Sequence, residues 1–143
     1  MKIIYPLLAI VGGIAVAMQS SVNGGLGKKV GVVEASFISF FIGTLALFFA
    51  VIFFGKGDVM AATTVPKWQL IGGILGAIYI LTMVSAVPHI GVAPTLAAVI
   101  AGQILMGALI DHFGWFGGVS IPIDFKKVSA IVLMFISLYL FNQ

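Results

Sequence analysis

The sequence has no cysteine, no arginine and few charged residues of either sign. The absence of cysteine excludes a disulfide-stabilised secreted module and any metal site built on thiolates. Charged residues make up 8% of the 143 positions, against about 25% in soluble proteins. The seven lysines are scattered, and the two doublets, Lys28-Lys29 and Lys126-Lys127, form no basic patch that could bind nucleic acid. A soluble globular domain and a nucleic-acid-binding protein are therefore both excluded.

What the chain does contain is apolar sequence, at 62% hydrophobic residues and a mean hydropathy of +1.26. Four runs have the length of about 20 residues that spans a bilayer, at 3–22, 32–54, 68–87 and 92–110. A fifth, at 125–141, is long enough if its two lysines extend to the interface. We therefore predict an all-α integral membrane protein with five transmembrane helices in a single membrane domain, 1–143.

The connections between these runs differ in character. Residues 23–31 and 55–67 are rich in glycine or polar residues and are predicted to be loops. Residues 88–91 are so short a link that the third and fourth helices should form a tight antiparallel hairpin, with His89 as a turn residue. Residues 111–127 carry aromatic side chains that favour the headgroup region.

The lysines also predict an orientation. With five crossings, the N-terminal side would hold five lysines, Lys2 among them, and the other side would hold Lys28 and Lys29. Because lysine is enriched on the cytoplasmic side, the N-terminus is predicted to be cytoplasmic. A cysteine placed at Asn142 would report the side of the C-terminus.

Two polar residues are predicted to lie near the bilayer midplane, Gln103 in the fourth helix and Tyr79 in the third. Both can donate and accept hydrogen bonds without carrying charge, so they are the first candidates for contact with a neutral or amphipathic substrate. The alternative is a hydrogen bond that holds two helices together.

Three further polar residues lie toward one side of the membrane. Gln19 and Asn23, four residues apart, share a helix face and could extend a substrate-binding wall. Their alternative is an interhelical hydrogen bond, with Asn23 ending the helix before Gly24. Glu34 is the acid nearest a membrane interior and therefore the candidate for proton coupling; its alternative is an exposed carboxylate favoured by the start of a helix.

Small residues at a spacing of four predict close helix packing. Gly72 and Gly76 form one such face, and Ala98 and Gly102 form another. The adjacent pair Asp111 and His112 could serve acid–base chemistry, but no nucleophile or set of metal ligands accompanies it. We therefore predict no enzymatic activity, no cofactor and no metal site.

The order of several short motifs is similar to that of a known family. These are Gln19, Asn23, Leu26-Gly27, Ser39-Phe40, Gly43-Thr44, Trp68, Gly72-Gly73, Leu75-Gly76, Tyr79, Pro88, Gly91, Ala101-Gly102-Gln103 and Ile110-Asp111-His112-Phe113-Gly114. With them the chain resembles the half-size, five-helix inner-membrane exporters of the drug/metabolite transporter superfamily. The resemblance implies a bacterial inner-membrane location and the pairing of two units into a ten-helix bundle with inverted repeats. It implies no substrate, and the lack of an acid deep in the first helix argues against export of cationic drugs.

The leading hypothesis is therefore a secondary transporter half for a small neutral or amphipathic metabolite. It would work by alternating access, as an antiparallel homodimer or as a heterodimer with a sister chain, surrounded by membrane lipid. The alternative is a non-transporting membrane subunit, in which the same glycine and glutamine residues serve only helix packing with a partner.

Overall fold

A computed structural model describes residues 3–141. Lys2, which contributes to the charge bias, and Asn142, the suggested labelling position, lie outside the described residues. Within them the chain forms five α-helices: α1 (Ile4–Val30), α2 (Val32–Phe54), α3 (Gly72–Ile90), α4 (Val92–Phe113) and α5 (Phe125–Phe141). Three short 3₁₀ helices occupy Val59–Thr63, Lys67–Ile71 and Trp115–Gly117. Residues 3–141 contain no strand, so the predicted all-α membrane fold is confirmed.

Four segments of the described chain are long and apolar enough to cross a membrane. They are Ile4–Val30, Val32–Phe54, Lys67–Ile90 and Val92–Phe113. The third segment includes the 3₁₀ helix before α3, since both belong to one apolar run. The fifth helix, α5, has 17 residues, which corresponds to about 25 Å, so its crossing of the bilayer stays a prediction that depends on the lysines at its start.

The first helix is longer than the sequence suggested. The predicted loop at 23–31 is wrong, because α1 continues to Val30 and Gly31 alone links it to α2. Asn23 therefore does not end the helix. Gly31 adopts a φ of 102°, a backbone conformation open to glycine and strained for other residues. Glycine is tolerated within α1 because a membrane helix keeps its backbone hydrogen bonds internal and gains close packing from small residues.

The link between α3 and α4 is also shorter than predicted. Pro88 lies inside α3, which ends at Ile90, so His89 is in the last helical turn and not in a loop. Gly91, with a φ of 88°, is the single residue before α4. Asp111 and His112 belong to the last turns of α4, which extends to Phe113. The antiparallel arrangement of these two helices stays a prediction.

The chain divides into two compact units, Met1–His89 and Ile90–Gln143. In the first unit α1 and α2 fold back on each other about Gly31. The side chains of Asn23 and Ser39, each eight residues from Gly31, are hydrogen-bonded. The buried core of this unit consists of Ala35, Ile80 and Val84, with Leu26 and Val32 packed against it. Residues of α3 thereby pack on the α1–α2 hairpin.

Two glycines of α1 permit this packing. A Cβ on Gly27 would lie 2.5 Å from Cγ1 of Val84, and a Cβ on Gly24 would lie 2.8 Å from Cγ1 of Val87. Real Cβ atoms do not approach other atoms so closely, so both positions require glycine for α1 and α3 to meet at this distance. We call Gly24, Gly27, Val84 and Val87 the glycine–valine contact.

In the second unit α4 packs against α5, and the segment between them folds onto the end of α4. The amide of Ile121 donates to the carbonyl oxygen of Asp111 at 2.7 Å. The amide of Ile123 donates to Nδ1 of His112 at 3.2 Å, and the Ser120 hydroxyl donates to the His112 carbonyl at 2.8 Å. Asp111 and His112 thus hold the segment between α4 and α5 against the end of α4, which is a structural role.

The glycine–valine contact generates a prediction for stability. Gly27→Ala should lower the free energy of unfolding by about 1–3 kcal/mol, because its new methyl group would overlap Val84. The matched control is Gly25→Ala, where a Cβ meets no atom within 4 Å. This control should be neutral or stabilising, since alanine is favoured over glycine in a helix. Thermal unfolding in detergent, followed by circular dichroism, measures both; equal midpoints for the two variants would contradict the packing.

Candidate functional site

The predicted site residues are distributed over both units. Gln19, Asn23, Glu34 and Tyr79 lie in the first unit, and Gln103 lies in the second. Their role in binding a substrate stays a prediction.

Asn23 is the most buried of the five, with 6% of its surface exposed. Its Nδ2 group donates a hydrogen bond of 3.0 Å to the Ser39 hydroxyl of α2. This is the interhelical hydrogen bond that the sequence left open as an alternative. Gln19, one helical turn earlier, is exposed, so the two residues of the expected polar wall differ in burial.

Ser39 was not among the residues singled out as site candidates. Its partnership with Asn23 could have been inferred only from the hairpin, because the two residues are equidistant from Gly31. The other buried hydroxyls bond to their own helices. Ser20 donates to the Val16 carbonyl at 2.6 Å, and Ser36 donates to the Val32 carbonyl at 2.8 Å. Local bonds of this kind satisfy a hydroxyl without a partner from another helix.

Glu34 is exposed in the first turn of α2. Its carboxylate lies against Gly31, where a Cβ would overlap Oε2. A negative charge at this end of a helix is stabilised by the macrodipole. The geometry is that of the helix-start carboxylate, and proton coupling by Glu34 stays a prediction.

The two midplane candidates are partly or fully accessible in the single chain. Tyr79 is half-buried in α3, and its carbonyl oxygen accepts a hydrogen bond of 2.7 Å from the Thr82 hydroxyl. Gln103 is exposed on α4, and a Cβ on its neighbour Gly102 would meet no atom within 4 Å. The surface around Gln103 is therefore open to a ligand or to another chain.

Of the four predicted packing residues, Gly76 makes a close contact inside the chain. A Cβ on Gly76 would lie 3.3 Å from the ring of Phe40. Gly72 and Gly102 face open space, and Ala98 is exposed. These three stay candidates for contact with another chain. The closest packing is found instead at Gly24 and Gly27, in the stretch that was predicted to be a loop.

Two open cavities among the described residues of the first unit have a lining that can be named. One, of about 330 Å³, lies between the end of α1, the start of α2 and the end of α3; we call it the Lys28 cavity. Its lining is Gly27, Lys28, Val32, Val84, Ser85, Pro88 and His89. The other, of about 250 Å³, lies between α2 and α3 and is almost wholly apolar. Within residues 3–141 no group of three or more His, Cys, Asp or Glu side chains could hold a metal ion.

The Asn23–Ser39 bond generates a second prediction. Asn23→Ala and Ser39→Ala should each destabilise the protein, and the double variant should cost less than their sum, because each single variant removes the same hydrogen bond. The coupling energy should be about 0.5–1.5 kcal/mol, the range for polar bonds between membrane helices. Unfolding of the four proteins in one detergent gives this energy. Strict additivity would contradict the hydrogen bond between the two side chains.

Comparison with known proteins agrees with this architecture. The family described as "Putative inner membrane exporter, YdcZ" matches residues 4–140. The chain is also 26% identical over 99 residues to the inner membrane protein YdcZ of Escherichia coli strain K12. That match covers 67% of this chain and 66% of the relative, just under two thirds of the relative's length. No solved structure matches. The resemblance noted from the sequence motifs is confirmed: the chain belongs to the YdcZ family of inner-membrane exporters, within the drug/metabolite transporter type.

Proposed function

We propose that the chain is half of a secondary transporter, which moves a small neutral or amphipathic metabolite across the bacterial inner membrane by alternating access. The observation that carries the proposal is the family match over residues 4–140, on a chain with four helices of membrane-spanning length. The description of the family names export, which is a function other than catalysis, and this supports the proposal. Transport by this chain is inferred from that membership.

The chain encloses little interior, which supports a dimer. Among the described residues, six apolar side chains are buried: Ala35, Ile80, Met83, Val84, Val87 and Ala101. A transporter must surround its substrate, and known architectures place the site between two structural repeats near the midplane. A second five-helix chain would supply the missing repeat.

The proposed partner lies in the opposite orientation. If α5 crosses the bilayer, the two termini are on opposite faces, and two copies in opposite orientations form an inverted repeat. The lysine bias of five to two favours a cytoplasmic N-terminus for this chain. The oppositely oriented partner would therefore be either a sister chain with the reverse lysine bias or a second copy of this chain.

Within this dimer, Gln103 and Tyr79 would contact the substrate near the midplane. Gln19 and Asn23 would extend the polar wall, and Glu34 would couple a proton. The exposure of Gln103 and Gln19 in the single chain supports these roles, since neither amide group is enclosed by its own unit.

The alternative of a non-transporting subunit has one observation in its favour. The Asn23–Ser39 bond and the contact of Gly76 with Phe40 show that polar and small residues do serve helix packing here. The two functions differ at Gln103, which should line a water-accessible cavity in a transporter and should be dry and paired in a packing subunit.

The transport hypothesis predicts that Gln103→Leu inserts and assembles normally but loses transport, because leucine cannot exchange hydrogen bonds with a substrate. The matched control is Gln69→Leu, a change at an exposed glutamine of the 3₁₀ helix before α3. Uptake or efflux by reconstituted vesicles is measured for a solute first identified by screening the wild-type protein. Wild-type rates in Gln103→Leu would remove Gln103 from the site.

The coupling hypothesis predicts that Glu34→Gln abolishes the dependence of transport on a pH gradient while substrate binding persists, because glutamine cannot exchange a proton. Asp111→Asn is the control, since it neutralises an exposed carboxylate at the end of α4. Vesicle transport with and without an imposed gradient separates the two. If Glu34→Gln responds to the gradient as the wild type does, Glu34 has no part in coupling.

A further inference from the structure

The Lys28 cavity combines a cationic rim with an apolar wall. Lys28 is in the last turn of α1, and Ser85 and His89 are four residues apart on α3. These three side chains are the polar members of its lining, and all three are exposed. Each carries a hydrogen-bond donor: an ammonium group, a hydroxyl and an imidazole N–H. The remaining lining residues are apolar.

The charge near this cavity is predominantly positive. No acidic side chain lines it. The nearby charged groups outside the lining are Lys29, which follows Lys28 at the end of α1, and Glu34 in the first turn of α2. The Glu34 carboxylate lies against Gly31, and the formal charges of Lys28, Lys29 and Glu34 sum to +1. The donors of the rim therefore favour a ligand with one negative group.

The shape of the cavity depends on Gly27, Val84 and Pro88, which have no role in the proposed transport site. Gly27 allows Val84 to approach α1, and both residues are among those that surround the cavity. Pro88, inside α3, has no amide hydrogen, so the Val84 carbonyl lacks its usual helical donor. The volume of about 330 Å³ is at the small end of the range for ligand sites, about 300–1,000 Å³.

We infer that the Lys28 cavity binds the carboxylate end of a small amphipathic organic acid, with the carboxylate at Lys28 and His89 and the apolar part against the partly exposed Val32 and Pro88. This inference rests on the proposed function and narrows its substrate class, from amphipathic metabolites in general to those with a carboxylate. Because the cavity is at the ends of α1 and α3, it is toward one face of the membrane, as a site of entry or exit would be.

The test is a binding measurement that does not require transport. The probes are para-trifluoromethylbenzoate and its neutral amide, para-trifluoromethylbenzamide, titrated by fluorine NMR onto the full chain in maltoside detergent. The benzoate should bind about tenfold more tightly than the amide, since hydrogen bonds to a charged group are the stronger ones. Equal affinity of the two probes would overturn the inference.

Variants then locate the binding. Lys28→Gln should reduce the preference for benzoate to within about twofold, whereas Lys29→Gln, at a lysine outside the lining, should keep it. Ser85→Phe should fill the cavity and abolish binding of both probes, and it tests the site independently if Lys28→Gln fails to fold. Equal effects of the two lysine variants would assign the preference to diffuse surface charge and overturn the inference.

A competition experiment with lipid tests whether the cavity binds a lipid headgroup in place of a solute. Titration is repeated with phosphatidylglycerol or phosphatidylcholine added to the detergent. Phosphatidylcholine and phosphatidylglycerol should both leave benzoate bound; displacement by phosphatidylglycerol alone would assign the cavity to a lipid headgroup and overturn the solute assignment. Benzoate binding without any transport would contradict the proposed function, and transport without benzoate binding would contradict only this inference.

Discussion

The close approach of α1 and α3 at the glycine–valine contact is the interaction on which the first unit depends. Lipid gives membrane helices no hydrophobic drive to associate, so van der Waals contact between close-fitting surfaces has to hold them together. Gly24 and Gly27 provide the space, and Val84 and Val87 fill it. Val84 of this contact also belongs to the buried core with Ala35 and Ile80, and Gly27 and Val84 are both among the residues around the Lys28 cavity.

The all-α membrane fold could be predicted from the sequence because it depends on the length of apolar runs, which are local. The extension of α1 through 23–30 could not. Asn23, Gly24 and Gly25 favour a loop by their local preferences, and the contacts that keep them helical come from α3, about sixty residues further along the chain. For the same reason the sequence did not predict the Asn23–Ser39 bond or the presence of Lys28 and His89 around one cavity, since both depend on the register of two helices. The sequence placed Gln103 and Tyr79 only by their depth in the membrane-spanning helices. Depth alone supports the hypothesis that they contact a substrate, but not a defined site.

The surface of the chain connects this fold to the proposed dimer. Most large apolar residues are exposed, including those along α2, where seven of the twelve phenylalanines lie. Some of this surface faces lipid. A Cβ on Gly72 or Gly102 would meet no atom within 4 Å, and Ala98 is exposed. Small residues of this kind in a membrane helix are suited to contact with another helix. These features support the proposal that the single chain forms one half of the substrate enclosure and that a partner chain forms the other half.

The most direct test of this account is the orientation of the two chains in a functional dimer. The sequence has no cysteine, so single cysteines at Gly57, between α2 and the 3₁₀ helices, and at Val30, the end of α1, give unique labels without removing a lysine. The sites are labelled in intact cells with an impermeant maleimide, and the dimer is isolated by cross-linking. We predict that transport-active homodimers contain one chain labelled from outside and one labelled only after permeabilisation, at either position. A transport-active homodimer labelled entirely from one side at each position would contradict the account.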